Sequence, residues 1–449
     1  MSNKPPAKRK NSTRDSSISP PQVKRKIEST TTKKAVNNFF TPVSQKTPDR
    51  TTWRIVENSL LIARYNAGGP PGLKSGQKRR VAGFDLDHTI IKSKSGNRFA
   101  KDAGDWQWWA PSVPGMLKSL FAEGHLVTIF SNQGGISLKS DPKTVKTDQK
   151  RLSDFKSKVN TVLGQLDIPI TLYAATARDR FRKPRTGMWE EMLEDYDLDV
   201  NDDIDMEGSI FVGDAGGRPA GTGTVKDHSC SDRDFAANLG ILFHTPEEFF
   251  LQEDAKPFTR TFDPAEYLKE MAGSSTEGTP LVFSKKDPLE LVVFCGSPGA
   301  GKSTFFWTHL KPLGYERVNQ DNLKTRDRCI QVATEHLSEG KSVTVDNTNA
   351  DPETRAKWVQ LGTKFEIPVR CIYFTAPAKV CEHNDAVRAL NLDLMNPEKR
   401  TMLPKVAFTG FASRFRPPSL EEGFKDIVRV DFQFEGSDEQ RQLWSRYWI

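Results

Sequence analysis

The stretch GSPGAGKST at Gly296–Thr304 constrains the fold of this chain more than any other. It satisfies GxxxxGK[ST] at every required position and follows the apolar run Leu289–Phe294. Such a loop works only where a buried strand feeds a tight glycine turn and then a helix, because backbone N–H groups must curl around phosphates with a helix N-terminus behind them. An α/β unit with a parallel sheet follows. Gly296, Ser297, Gly299, Gly301, Lys302, Ser303 and Thr304 form its nucleotide-binding set, with Lys302 reaching the β/γ-phosphates of ATP and the Ser303 hydroxyl available to Mg2+.

Further strand-like runs, YERVNQD, KSVTVDNTN and PVRCIYFTA, extend this unit over residues 286–449. Asp321 and Asp346 stand at strand ends, on the sheet edge that faces the phosphates. Asp321 is placed to accept a proton from an acceptor hydroxyl, and Asp346 to support a metal or the loop itself. Either aspartate alone can also be read as a helix cap.

An earlier series, RVAGFDLD, HLVTIFSN, PITLYAA and GSIFVGD, alternates with the helical patterns Pro114–Glu123 and Thr186–Asp195. Alternation of this kind implies a second parallel sheet covered on both faces. The expected architecture is therefore α/β, with two three-layer parallel-sheet domains at residues 51–255 and 286–449. Residues 256–285 turn acidic, Ser/Thr/Gly rich and weakly periodic, and are expected to be a linker.

The first run ends in FDLDHTI. Aspartates at i and i+2 on a strand end project the same way, so Asp85 and Asp87 can share one Mg2+ and one substrate phosphate. Asp85 can attack phosphorus, while Asp87 protonates the leaving alkoxide and then activates water. Later strand ends supply Ser131 and Asn132 in VTIFSNQ, Lys183 in RKPRTGMW and Asp214 in IFVGDAGGR. The hydroxyl and ammonium groups can hold phosphate oxygens, and Asp214 can complete a metal site with Asp85 and Asp87.

These four pieces, in this order, resemble the haloacid dehalogenase superfamily of phosphatases. With the phosphate loop behind them, and with SCSDRDFAANLGI, TPEEFFL, VNQD, DNTN and PSLEEGF between and after the motifs, residues 50–449 resemble the eukaryotic polynucleotide 5′-kinase/3′-phosphatase family of DNA end repair. The resemblance implies a 3′-phosphatase at 51–255 and an ATP-dependent 5′-hydroxyl kinase at 286–449. It implies Mg2+ and ATP as cofactors, and as substrate DNA with 3′-phosphate or 5′-hydroxyl ends. It also makes Asp85 the nucleophile, Asp87 the acid/base, Asp321 the base for the 5′-hydroxyl and Arg388, in EHNDAVRALN, the lid arginine.

Three departures stand out. His88 occupies a position where the phosphatase motif usually has glycine, and Ser131 one where threonine is common. The first fifty residues do not hold the forkhead-associated domain of the animal enzymes, so recruitment by phosphorylated scaffolds is not implied. A protein of the same build acting on RNA ends or small phosphorylated metabolites, or an inactive scaffold that keeps the fold, are the competing expectations. Against the scaffold stand intact Asp85, Asp87, Lys302 and Asp321.

Charge separates the tail from the body: the first fifty residues carry a balance of +9, so the remainder is at −2 within the net +7. This Ser, Thr, Pro and Lys rich tail, residues 1–50, has too few large apolar side chains to offset the entropy of ordering, and is expected to be disordered. Its clusters Lys8–Lys10 and Lys24–Lys26 look like nuclear import signals, so a nuclear location is expected. Val36, Phe39 and Phe40 have the spacing of a sliding-clamp docking motif, although Lys33 stands where such motifs usually begin with glutamine. The five cysteines are scattered without metal-ligand spacing and read as reduced thiols. No apolar run approaches bilayer length, and a soluble monomer is expected. The aromatic DWQWWAPS fits packing beside the active-site strand or stacking on bases, and the basic RDRFRKPR a solvated loop or phosphate contact.

Overall fold

Nine strands build the first half of a computed structural model that describes residues 50–66, 77–98, 100–139, 143–199, 203–221, 225–274 and 283–449. They are β1 (Thr51–Val56), β2 (Leu60–Tyr65), β3 (Val81–Phe84), the short pair β4 (Ile91–Lys92) and β5 (Gln107–Trp108), β6 (Leu126–Asn132), β7 (Ile170–Ala175), β8 (Ile210–Val212) and β9 (Leu242–His244). Seven of them form one sheet in the order β1-β2-β7-β6-β3-β8-β9. The five strands from β7 to β9 are parallel. The edge hairpin β1–β2 joins them antiparallel, so the sheet is mixed, in place of the purely parallel one expected.

Strand periodicity distributes the core. Val127 and Ile129 of β6 face one layer with helices Val113–Ala122 and Val145–Leu166, while Leu126 and Phe130 face the other with helices Gly187–Asp195 and Ser231–Leu239. The tryptophans of DWQWWAPS pack against the first layer: Trp106 and Trp108 meet edge to face at 5.3 Å, and Trp109 lies 5.9 Å from Phe250. Packing, not base stacking, is the role these contacts describe.

The second sheet comprises β10 (Leu291–Cys295), β11 (Glu316–Val318), β12 (Val343–Val345), β13 (Val369–Phe374) and β14 (Ile427–Val430), in the order β11-β12-β10-β13-β14. Every pairing is parallel. The strand before the phosphate loop, β10, is central and fully buried, which fixes the loop on a rigid base. Helices Arg326–Ser338 and Pro352–Lys364 cover one face through Cys329, Ala333, Trp358 and Leu361.

The expected linker is structured in part. Residues Pro264–Ser274 form a helix whose Leu268 is buried with Val380, Val387 and Trp444, while Tyr267 lies 6.1 Å from Trp444. Weak periodicity concealed this because the helix buries a narrow apolar stripe. Residues 50–449 form one compact unit. The import clusters, the Val36–Phe40 motif and the rest of residues 1–49 lie outside the described residues. Among the described residues no helix is long and apolar enough to cross a membrane, and the five cysteines are free.

Candidate active sites

Strand β3 sits between β6 and β8, so the three carboxyl ends open onto one edge. Asp85 leaves β3 with its N–H donating to the Val212 carbonyl of β8 at 2.8 Å, and Asp214 follows β8 two residues later. The buried Lys183 ammonium lies 2.7 Å from Asp85 Oδ1 and 2.7 Å from Asp232 Oδ1. Carboxylate oxygens of Asp85, Asp214 and Asp232 all lie within 4.8 Å of one another. Burial, with Asp232 beside it, holds the Asp85 carboxyl well above its ordinary range despite Lys183. Burial, with Asp232 and Asp85 beside it, raises Asp214 as well, again despite Lys183. Burial alone would lower Lys183, but Asp232 and Asp85 overcome it and keep the amine charged. Three carboxyl groups with one ammonium between them are short of positive charge, and hard oxygen donors of this kind fit Mg2+.

Asp232 was not singled out in the sequence. It lies on the helix Ser231–Leu239, remote in sequence from Asp214, and its carboxylate also accepts the Ala215 N–H at 3.0 Å. Gly213 makes room for it, since a Cβ there would stand 2.3 Å from Asp232 Oδ2.

The Asp87 carboxylate is not part of this cluster, contrary to the expected metal set. It pairs with Lys158 at 3.1 Å and accepts from Gln133 Nε2 at 2.6 Å. The i, i+2 argument fails because β3 ends at Phe84 and the chain turns, with His88 at φ 63°. That left-handed backbone explains why glycine suits the position. The His88 ring lies 3.3 Å from the Arg98 carbonyl. Ser131 is buried and accepts from Gln133 at 2.9 Å. Asn132 grips the Lys183 backbone, accepting its N–H at 2.9 Å and donating to its carbonyl at 3.1 Å, and so holds the lysine instead of facing a phosphate. In RDRFRKPR, Arg180 pairs with Glu57 and Glu190 and Arg185 is buried, so much of that basic cluster is committed to protein contacts.

At the second sheet, Gly299 adopts φ 75° and a Cβ there would meet the Cys381 carbonyl at 2.2 Å, so only glycine fits. Gly301, at φ 89°, precedes the helix Lys302–Phe305. Lys302 is buried and donates to the carbonyls of Gly296 at 3.0 Å and Ser297 at 2.6 Å, its amine lowered by burial. Ser303 Oγ donates to Asp346 at 2.9 Å. The Arg317 guanidinium stands 2.5 Å from Asp346 and 2.8 Å from Ser303 Oγ, so a cation already finds this oxygen pair favourable, and the pair suits Mg2+.

Asp321 opens the helix Gln320–Leu323, capped by Asn319, with its side chain 74% exposed. Beside it a cavity of about 260 Å³ is lined by Gln320, Arg326, Asn347, Thr354 and Arg414, among others. Arg388 donates to Asp385 at 2.6 Å. The arginine that reaches between the phosphate loop and Asp321 is Arg400, 3.3 Å from Ser303 Oγ and 3.5 Å from Asp321. Arg317 and Arg400 carried no sequence signal, since each stands in an otherwise ordinary polar context.

Two phosphate-handling sites of unlike chemistry therefore share one chain: a carboxylate and lysine cluster on the first sheet, and a phosphate loop with an exposed aspartate on the second. The family model described as polynucleotide kinase 3 phosphatase matches residues 80–250, and one described as an AAA domain matches residues 291–418. The bifunctional polynucleotide phosphatase/kinase of Schizosaccharomyces pombe is 41% identical over 382 residues, covering 85% of this chain and 85% of that protein. The polynucleotide 3′-phosphatase of Saccharomyces cerevisiae is 32% identical over 212 residues, 38% of this chain and 87% of that protein. Among solved structures, the D,D-heptose 1,7-bisphosphate phosphatase of B. bronchiseptica matches with 16% identity and a TM-score of 0.26, covering 40% of this chain and 90% of that one. The chain belongs to the bifunctional polynucleotide phosphatase/kinase family.

Proposed function

We propose that the protein removes 3′-phosphates from DNA ends and phosphorylates 5′-hydroxyl ends with ATP, making breaks ligatable. The observation that carries this reading is a carboxylate and lysine cluster together with a phosphate loop in one chain that is 41% identical, over 85% of its length, to a bifunctional relative. Asp85 attacks phosphorus and becomes an aspartyl phosphate as the P–O bond to the 3′-oxygen breaks. Asp87 gives that oxygen its proton, then takes one from the water that hydrolyses the aspartyl phosphate and regenerates Asp85. Lys183, fixed by Asp232, neutralises the phosphate oxygens.

In the other half, Asp321 accepts the proton of the 5′-hydroxyl as its oxygen attacks the γ-phosphorus of ATP and ADP leaves. Lys302 holds the β/γ-phosphates, and Arg388 and Arg400 offset charge on the group in transit. Asp85 and Asp214 in one site, and Ser303 with Asp346 in the other, would hold Mg2+, which screens phosphate charge when bound. The acceptor strand enters beside Asp321, where the cavity with Arg326 and Arg414 suits an anionic backbone.

The reading extends to the tail and to assembly. The basic clusters direct the protein to the nucleus, Val36, Phe39 and Phe40 dock on a sliding clamp, and the protein works as a monomer. Sequence pattern alone supports the first two.

The test is separation of the activities. Asp85→Asn abolishes 3′-phosphatase turnover and spares the kinase, and Lys302→Ala does the reverse. Loss of both activities from either substitution in a folded protein would refute two independent sites.

A further inference from the structure

The polypeptide that follows the kinase sheet returns to the phosphatase site. Trp444, at the end of the helix Asp438–Trp444, is buried, and its indole N–H donates to Asn384 Oδ1 at 2.7 Å. The Asn384 amide in turn donates to the carbonyl of Gly299, in the phosphate loop, at 2.9 Å. Three residues beyond Trp444, Tyr447 exchanges two hydrogen bonds with Asn238 of the phosphatase half. Its N–H donates to Oδ1 at 2.9 Å and its carbonyl accepts from Nδ2 at 2.8 Å. The same Asn238 Nδ2 donates to the Pro184 carbonyl at 2.8 Å. The next carbonyl, that of Trp448, accepts from Arg185 Nε at 3.1 Å. Tyr447 is itself held in place: Arg260 lies 4.6 Å over its ring, and its hydroxyl donates to Asp263 at 2.8 Å.

Pro184 and Arg185 follow Lys183 directly. The Lys183 backbone is thus gripped on one side by Asn132, from the end of β6, and on the other through Pro184 and Arg185 by residues 447–448. Arg185 is 6% exposed and donates to backbone carbonyls, Asp179 at 2.7 Å and Trp448 at 3.1 Å. A buried guanidinium that loses an acceptor has a desolvation cost left uncompensated, so its loop must shift to recover one. Lys183 must keep its ammonium 2.7 Å from both Asp85 and Asp232, and a displacement of that loop moves it directly.

We infer that Tyr447 and Trp448 form a strap, built by the kinase half and anchored through Asn238 and Arg185, that positions Lys183 for the phosphatase reaction. The inference rests on the functional reading above. It makes Asn238 and Tyr447 positioning residues, and makes the phosphatase dependent on chain beyond its own sheet.

The test uses the full chain with Asn238→Ala and, separately, Tyr447→Ala, with Tyr447→Phe as the conservative partner that keeps the ring over Arg260. Strap release is expected to lower 3′-phosphatase kcat by about tenfold or more, with KM nearly unchanged and 5′-kinase rates intact. Tyr447→Phe is expected to restore most of the lost rate. Amide hydrogen exchange over residues 178–187 should rise in both alanine variants, a readout that needs no activity. Unchanged kcat and unchanged exchange in folded variants would overturn the strap. So would a parallel fall of both activities with thermal stability, which describes structural glue. Phosphatase turnover that survives Asp85→Asn defeats the functional reading separately, and the exchange experiment then decides whether the strap holds the loop.

Discussion

Lys183 shows how a single buried charge organises a reaction site. With a side chain only 1% exposed it stands between Asp85 and Asp232, and each contact is 2.7 Å. Asp232 lies away from the strand that carries Asp85, so its contact holds the ammonium against that carboxylate from a second element. Asp232→Asn is expected to lower 3′-phosphatase kcat by roughly 10–100-fold while leaving 5′-kinase rates unchanged, measured on matched 3′-phosphate and 5′-hydroxyl oligonucleotides. Asp85 and Lys183 were legible because each stands in a short motif; Asp232 was not, because its pairing with Lys183 crosses 49 residues of chain and leaves no local spacing. His383 illustrates a buried titratable group of another kind. Its Nε2 donates to the Trp444 carbonyl at 2.7 Å, its ring lies 4.6 Å from the Trp444 ring, and burial pushes it down to about 4. The unfolded chain takes up this proton near the ordinary value of 6.5, whereas the folded chain resists it. Stability is therefore complete above pH 6.5 and declines as pH falls through 6.5 towards 4, by up to about 3 kcal/mol. His383→Gln should flatten that part of a urea-denaturation pH profile; an unaltered slope would contradict the assignment.

Elements carry these residues through their ends more than through their middles. Strand β3 delivers Asp85, β8 delivers Asp214 and β10 delivers the phosphate loop, each at the carboxyl edge of its sheet. Those strands were visible as apolar runs bounded by glycine or acid. The edge hairpin β1–β2 was not, because Thr51–Val56 alternates only partly and the hairpin joins the sheet through the pairing of β2 with β7. The helix Pro264–Ser274 was hidden in the same way: its buried Leu268 packs with Val380, Val387 and Trp444, more than a hundred residues downstream. Leu268→Ala is expected to destabilise the protein by about 2–3 kcal/mol in chemical denaturation. A change within a few tenths would mean that the helix is the loose connection its sequence suggested.

At the scale of the molecule, the two sheets are joined by specific hydrogen bonds as well as by chain. Asn238 and Tyr447 meet across 209 residues, and Arg185 and Trp448 across 263. Contacts of that separation have no counterpart in motif or periodicity, which is why sequence revealed two sites but no connection between them. The pairing ties the residues that follow Lys183 to the end of the chain, so removing residues 447–448 would take away hydrogen-bond partners of Asn238 and Arg185. The most direct test of the functional account is a single oligonucleotide bearing a 5′-hydroxyl and a 3′-phosphate, incubated with the protein, Mg2+ and ATP, with both ends resolved on one gel. The expected result is gain of the 5′-phosphate together with loss of the 3′-phosphate, both abolished by EDTA. Two unchanged DNA ends, with turnover only on the RNA version of the same strand or on neither, would contradict a DNA end-processing enzyme.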